Sequence, residues 1–272
     1  MVRIELNLNW SPRFDEEYIA GKAQRAEKAG IKRIWAGELD IFISPFEVAR
    51  IVDEYTSIEC GIITAPKPKR EVARIAERYD VCIIPGGKGR DYVNSAVRCI
   101  EELGDCRNVY IGCSGRITAR KAFNAFVRSG IEPRIMPNYV KREFVDWVCL
   151  NLEWVEILPI GPSLILPSRM EDELTIAAIL VMTSNENFAR EFGFFREFKE
   201  LSALDVKRMI ANSRLEKNET VERYRKFLMD NFTVSGSVEE VRKKVEALGS
   251  FVLGDPFFRD DNSMDMLEFL VN

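Results

Sequence analysis

The 272 residues include no histidine. The commonest general base near neutral pH is therefore missing, and neither a Ser-His-Asp nor a Cys-His arrangement can be built. Proton transfer falls to carboxylates, Lys, Tyr or Cys, or to a cofactor that brings its own reactivity. Two carboxylates are the candidates for that work. Glu5 lies in the N-terminal run RIELNLNW, and Glu38 opens the acidic turn Glu38-Leu39-Asp40 that follows Ile34-Trp35. The six cysteines, Cys60, Cys82, Cys99, Cys106, Cys113 and Cys149, form no C-x-x-C pair and mostly sit in apolar runs. They have the character of reduced structural thiols, and no metal site is expected.

Three stretches have the composition for binding an anion. Pro85-Gly86-Gly87-Lys88-Gly89-Arg90 precedes a helical pattern and offers backbone N–H groups beside two cations. It lacks the P-loop spacing and the Ser/Thr after the lysine, which argues against an NTPase and leaves a bare glycine turn as the alternative. Ser114-Gly115-Arg116 is a shorter version at the start of another helix, and Lys67, Lys69 and Arg70 follow a third strand.

These residues depend on a repeating frame. Residues 3 to 10 alternate Ile4, Leu6, Leu8 and Trp10 with Arg3, Glu5, Asn7 and Asn9, the period of a strand. Five more strands alternate with helices up to about residue 152: IKRIWAG, SIECGIIT, DVCIIP, NVYIG and EPRIMP. Six βα units in succession imply a parallel sheet with right-handed crossovers. Beyond them EILPIGPSLILP has the look of an irregular, proline-broken excursion, and the apolar ELTIAAILVM that of a seventh strand. A helical region from 187 to 232 follows, then a helix from 238 to 248, the eighth strand SFVLGDP and a last helix from 264 to 270. Within the helical region the phenylalanine-rich NFAREFGFFREF suits helix core or dimer packing.

Eight strands in this length predict a (β/α)8 TIM barrel occupying residues 1–272 as one domain, with irregularity after the sixth βα unit. An open doubly wound sheet is the main competitor. In a closed barrel Ile4, Leu6, Leu8 and Trp10 face the helices and Arg3, Glu5, Asn7 and Asn9 face the interior. Arg3 and Glu5 then pair across the floor, and Asn7 and Asn9 reach the C-terminal mouth. The loops that follow strands three, four and five form a basic end, while Glu59, Asp80, Asp105 and Glu132 form an acidic one. Net charge is −4, which excludes an evenly basic nucleic-acid binder, and no apolar run is long enough for a bilayer. A cytoplasmic protein acting on a small molecule is expected.

Several stretches in order carry a resemblance. Ala26-Glu27-Lys28-Ala29-Gly30 leads to Ile34-Trp35 and the acidic turn. PFEVARIVDEYTSIECGIITAP contains Thr56-Ser57 and Ile62-Ile63-Thr64-Ala65-Pro66. VYIGCSGRITARKAF follows, and FTVSGSVEEVRKKVEAL runs into FVLGDP. Together they resemble the bacterial-luciferase-like superfamily, nearest to the archaeal coenzyme F420-dependent methylenetetrahydromethanopterin reductases. The chain departs from that pattern where Glu38-Leu39-Asp40 replaces an Asp-His pair and Glu77-Arg78-Tyr79-Asp80 replaces Ser-Gly-Gly-Arg. The glutamate that ends the family's first strand corresponds to Glu5 or to Asn7, depending on the gap.

The resemblance implies a luciferase-like barrel, a homodimer, and hydride transfer between F420 and a second substrate such as methylenetetrahydromethanopterin. Glu5 and Glu38 are the acids it implies. It also implies a bulge with a non-prolyl cis peptide near Gly61-Ile62-Ile63 beneath the deazaflavin ring. The cofactor residues implied are then Asn7, Asn9, Gly61, Ile62, Ile63, Gly86, Gly87, Lys88, Arg90, Ser114, Gly115 and Arg116. An FMN-dependent luciferase-like monooxygenase and a non-catalytic flavin- or F420-binding relative remain as alternatives.

Overall fold

The computed structural model describes residues 3–9, 14–85, 91–103, 108–138, 142–164, 186–206 and 217–254, with shorter pieces at 175–176, 178–179, 182, 208–209, 267 and 270. Six strands alternate with six helices in its first half. They are β1 (Ile4–Asn7), α1 (Glu16–Lys28), β2 (Arg33–Gly37), α2 (Pro45–Tyr55), β3 (Glu59–Thr64), α3 (Lys69–Ala76), β4 (Asp80–Ile83), α4 (Asp91–Leu103), β5 (Val109–Cys113), α5 (Arg116–Arg128), β6 (Arg134–Pro137) and α6 (Arg142–Asn151). Local chemistry sets their ends. Asp15 caps α1 by accepting the Tyr18 N–H at 2.9 Å, and Gly30 takes φ +90° just past its C-terminus, where a Cβ would be strained.

All neighbouring strands are parallel, in the order β7-β6-β5-β4-β3-β2-β1-β10-β8-β9. Here β7 is Glu156–Ile157, β8 Ile160–Leu164, β9 Thr233–Val234 and β10 Phe251–Gly254. β7 pairs with β6 and β8 pairs with β10, and the two are halves of one strand separated by Leu158-Pro159. A parallel bridge from Asn138 to Ile160 joins the seam. The sheet is thereby closed into an eight-stranded α/β barrel of the TIM type, with 156–164 as its seventh strand and β10 as its eighth.

Two expectations are corrected here. EILPIGPSLILP is barrel strand through residue 164, not an excursion. Proline lacks the N–H that a ladder needs but keeps its carbonyl, and the Pro159 oxygen accepts the Val252 N–H at 2.7 Å. ELTIAAILVM is not a strand: Thr175, Ile176, Ala178, Ile179 and Met182 are helical. Ile176, Ile179 and Met182 fall at helical spacing on a buried face.

The alternation in the N-terminal run resolves as the barrel requires. Ile4, Leu6 and Leu8 pack with α1 and α2 residues in the shell between strands and helices, while Arg3, Glu5, Asn7 and Asn9 belong to the inner face. The barrel interior holds Trp35, Ile63, Cys82, Tyr110, Met136, Leu158 and Val252, one apolar side chain from each of seven strands. A separate helical layer contains the helices Phe195–Leu201 and Glu219–Phe232 with Ile176, Ala178, Ile179 and Met182. Phe194, Phe227 and Phe232 meet within it, with Phe194 and Phe227 ring centroids 4.8 Å apart, so this phenylalanine cluster is helix core. Among the described residues no helix is long and apolar enough to cross a membrane.

Candidate functional site

The two ends of the barrel differ in kind. At the N-terminal floor Glu5 is fully buried. Its Oε1 accepts from Arg3 and, at 3.4 Å, from Arg33 Nη1, and its Oε2 accepts the Trp35 indole N–H at 2.6 Å. Arg33 also pairs with Asp80 at 2.8 Å and with Glu59, and its buried Nε has no hydrogen-bond partner among the described residues. Three carboxylates thus share one guanidinium. Burial pushes the Asp80 carboxyl above its ordinary value; Arg33 opposes that, and Glu5 and Glu59 reinforce it by repulsion. Burial disfavours the charged Arg33, yet Glu5 and Asp80 attract it strongly enough to raise its pKa. A second group completes the floor: the Tyr110 hydroxyl donates to Glu156 at 2.8 Å, and Arg134 meets Glu156 at 3.2 Å. Burial, with that hydrogen bond, pushes the Tyr110 phenol up.

Glu5 therefore sits in the paired state, two residues below Asn7 on the same inner face of β1. The anticipated split into an acidic floor and a basic mouth is also softened, because Arg33 and Arg134 balance the floor carboxylates.

The C-terminal mouth brings Asn7, Asn9 and Glu38 together. Asn9 Oδ1 accepts the Gly37 N–H at 2.7 Å, and its amide nitrogen donates to Asn7 Oδ1 at 3.0 Å. A Cβ on Gly37 would stand 3.1 Å from Asn9 Oδ1, so the glycine allows this close approach. Next along, the Glu38 N–H donates to the Ile63 carbonyl at 2.9 Å. Its carboxylate accepts from the Thr64 hydroxyl at 2.6 Å and from Lys67 Nζ at 3.1 Å. Lys67 is held from its other side by Glu71 at 3.2 Å. Burial works against the Lys67 ammonium, but its hydrogen bonds to Glu38 and Glu71 outweigh it and raise the pKa. Thr64 is buried, while the Glu38 side chain keeps 39% of its surface exposed. The result is a carboxylate with a fixed position and an open face toward solvent.

The β3 residues separate. Gly61 lies deep inside, where an added Cβ would come within 2.4 Å of the Trp35 indole. Ile62 turns outward into the helix shell, Ile63 turns inward, and the ladders to β2 and β4 pass all three without a register shift. The bulge implied near these residues is absent from that ladder.

Ser114-Gly115-Arg116 does begin a helix at the mouth, and the seat is taken by the protein itself. Glu191 Oε1 accepts the Arg116 N–H at 3.2 Å and lies 3.6 Å from its Nε. A Cβ on Gly115 would come within 2.5 Å of Glu191 Oε2. Arg116 and Arg120 both lie over the Trp147 ring, and Phe192 meets Phe144 edge-on at 5.9 Å. On the other side of the mouth, Phe42 from the β2–α2 loop joins the helical layer. That layer is thus tethered across the C-terminal face at two points. Gly86, Gly87, Lys88 and Arg90 lie outside the described residues.

Sequence reasoning placed Asn7 and Asn9 at the mouth and Glu38 in the turn after the second strand, and the structure has them there. It counted Lys67 among the mouth cations, where the structure makes it the clamp on Glu38. It missed Glu191, whose partner is 75 positions away, a contact that no local pattern signals.

No family model matches the sequence, and neither does any curated protein. Solved structures do. The chain is similar to the coenzyme F420-dependent tetrahydromethanopterin reductase from Methanopyrus kandleri, at 14% identity and a TM-score of 0.66, over 100% of this chain and 97% of that one. It is also similar to riboflavin lyase RcaE, solved with modified FMN and riboflavin, at 13% identity and a TM-score of 0.60, over 100% of this chain and 90% of the other. Likeness at this identity speaks for the fold alone, a TIM-type barrel.

Proposed function

We propose that this protein is an oxidoreductase working at the C-terminal mouth of its barrel, with F420 as cofactor and a small molecule as second substrate. The observation that carries this reading is Glu38, a clamped and half-open carboxylate at the mouth of a barrel whose neighbours are named for F420 and FMN. When bound, a deazaflavin supplies the hydride chemistry. The chain supplies position and proton handling. Asn7 and Asn9 present amide groups beside Gly37 for orienting a polar ring edge. Glu38 holds or accepts a proton at its carboxylate, with Thr64 and Lys67 preventing it from swinging away.

The residues suit such a group in part. Lys67 and Arg116 are already neutralised by Glu38, Glu71 and Glu191, so an anionic tail has Lys69, Arg70, Lys88 and Arg90 to meet, or displaces Glu191. That neutralisation favours a second reading, a binding protein for FMN or F420 without turnover. Methylenetetrahydromethanopterin is the substrate to test first.

Titration of the purified protein with F420 and, separately, FMN, followed by absorbance, decides the cofactor. Glu38→Gln should then retain F420 binding and lower hydride transfer at least about a hundredfold, the lower end of the usual general acid–base range. Unchanged turnover in that variant would remove Glu38 from the chemistry. F420 binding with no turnover on any pterin or small carbonyl selects the second reading.

A further inference from the structure

The turn that carries Glu38 is fixed at both of its ends, and only one of them is fixed by the barrel. At the near end the Glu38 N–H donates to the Ile63 carbonyl at 2.9 Å, and the carboxylate meets Thr64 and Lys67. At the far end Phe42 is 7% exposed and lies in the core of the helical layer, with Ile41 packed beside it. Every other buried member of that core, among the described residues, comes from 176–232. Ile43 returns at once to the shell between strands and helices. Phe42 is thus a plug from a barrel loop into a core that the layer otherwise builds for itself.

Glu38, Leu39 and Asp40, between the two ends, are exposed. The Phe42 N–H donates to the Leu39 carbonyl at 3.0 Å and closes a β-turn. That bond ties the buried ring to the residue directly after Glu38. A buried phenylalanine is a strong anchor, because withdrawing it wets its apolar surface and leaves a cavity behind.

We propose that Phe42 is a positioning residue for Glu38, through which the helical layer sets the direction of the carboxylate at the mouth. Thr64 and Lys67 restrain the tip of the side chain, and Phe42 restrains the backbone that bears it. These restraints come from two different packed bodies, so the site is complete only with the layer docked. Across the mouth the layer is held by Glu191 on α5 and by Phe192 against Phe144. The consequence for turnover rests on Glu38 being the proton-handling group; the positional claim does not.

Amide hydrogen exchange in the cofactor-free protein tests the positional claim. In Phe42→Ala the Glu38 amide should exchange at least about tenfold faster, the mark of a local opening. The Leu8 and Ile84 amides, each bonded at 2.8 Å to the Trp35 and Thr64 carbonyls, should be unchanged and report an intact barrel. Phe42→Leu refills most of the space and should recover most of the protection. Should Phe42→Ala fail to fold, Phe42→Val takes its place.

Turnover with F420 and methylenetetrahydromethanopterin tests the consequence. Phe42→Ala should lower kcat about tenfold with KM nearly unchanged, since misplacement by about 1 Å can cost up to a hundredfold. In a Glu38→Gln background the same change should cost nothing further, because the group it positions is gone. An unchanged Glu38 amide, or all three amides accelerated alike, overturns the proposal. So does a raised KM with kcat intact, or an additive loss beside Glu38→Gln. Full turnover in Glu38→Gln alone removes the proton-handling reading instead, and the amides then decide the proposal by themselves.

Discussion

Glu5 and Glu38 are both carboxylates at strand ends of one barrel, and their surroundings give them opposite roles. Glu5 is sealed from water and carries two guanidinium neighbours and an indole N–H. Glu38 has one ammonium, one hydroxyl and a solvent face. Glu5→Gln keeps the shape but leaves Arg33 facing one neutral neighbour in a buried setting. Breaking a buried pair from one side costs about 3 kcal/mol. A lowered urea midpoint of that size, with F420 affinity unchanged, is the expected result. Loss of hydride transfer without loss of stability would instead make Glu5 the working acid. Of the described cysteines Cys60, Cys82, Cys99 and Cys113 are buried and Cys149 is exposed; burial, with Asp53 nearby, lifts the Cys60 thiol to about 12, which leaves it inert.

At the scale of elements, β3 shows how a barrel interior is shared. Trp35 on β2 fills the space across from Gly61, and the indole then reaches Glu5 below and meets Tyr110 edge-on at 5.7 Å. Gly61 is therefore a packing residue. Gly61→Ala must move the indole or the strand, since a Cβ at 2.4 Å from Trp35 Cε3 is not tolerated. Overpacking of this kind costs about 2 kcal/mol, visible as a lower melting temperature and a changed near-ultraviolet circular dichroism signal from Trp35. An unchanged melting temperature would mean that the indole has another rotamer available. The broken seventh strand is the other lesson at this scale. Each proline removes a donor, so the strand pairs first with β6, then with β10, and shifts register between Val252 and Gly254.

For the whole molecule, charge and the helical layer decide how an anionic ligand gets in. The chain carries −4 overall, and of its described mouth cations Lys67 and Arg116 are paired while Lys69 and Arg70 are exposed. The sequence adds Lys88 and Arg90, outside the described residues, as the further candidates for steering. Lys88→Ala with Arg90→Ala should weaken F420 about tenfold and flatten its salt dependence. If affinity is unchanged, the anion binds at the start of α5 instead, and Glu191→Gln should then tighten it by removing the carboxylate already seated there.

By itself the sequence determined what depends on near neighbours. Period-two and period-3.6 patterns, a capping Asp15, a left-handed Gly30 and the alternation of βα units specify the first six units and their parallel order, within one or two residues. It also placed Arg3 against Glu5 and raised Asn7 and Asn9 to the mouth, because strand alternation and barrel closure leave them nowhere else. The tertiary structure alone decided which of two apolar segments became the seventh strand. A short apolar run suits a buried strand or a buried helix equally, and only the open edges of β6 and β10 could choose EILPIGPSL over ELTIAAILVM. It alone paired Glu38 with Lys67 across two strand ends, and Arg116 with Glu191 across 75 positions. Those contacts form only when closure of the barrel and packing of the helical layer bring distant charges to one face, and no local pattern carries that information.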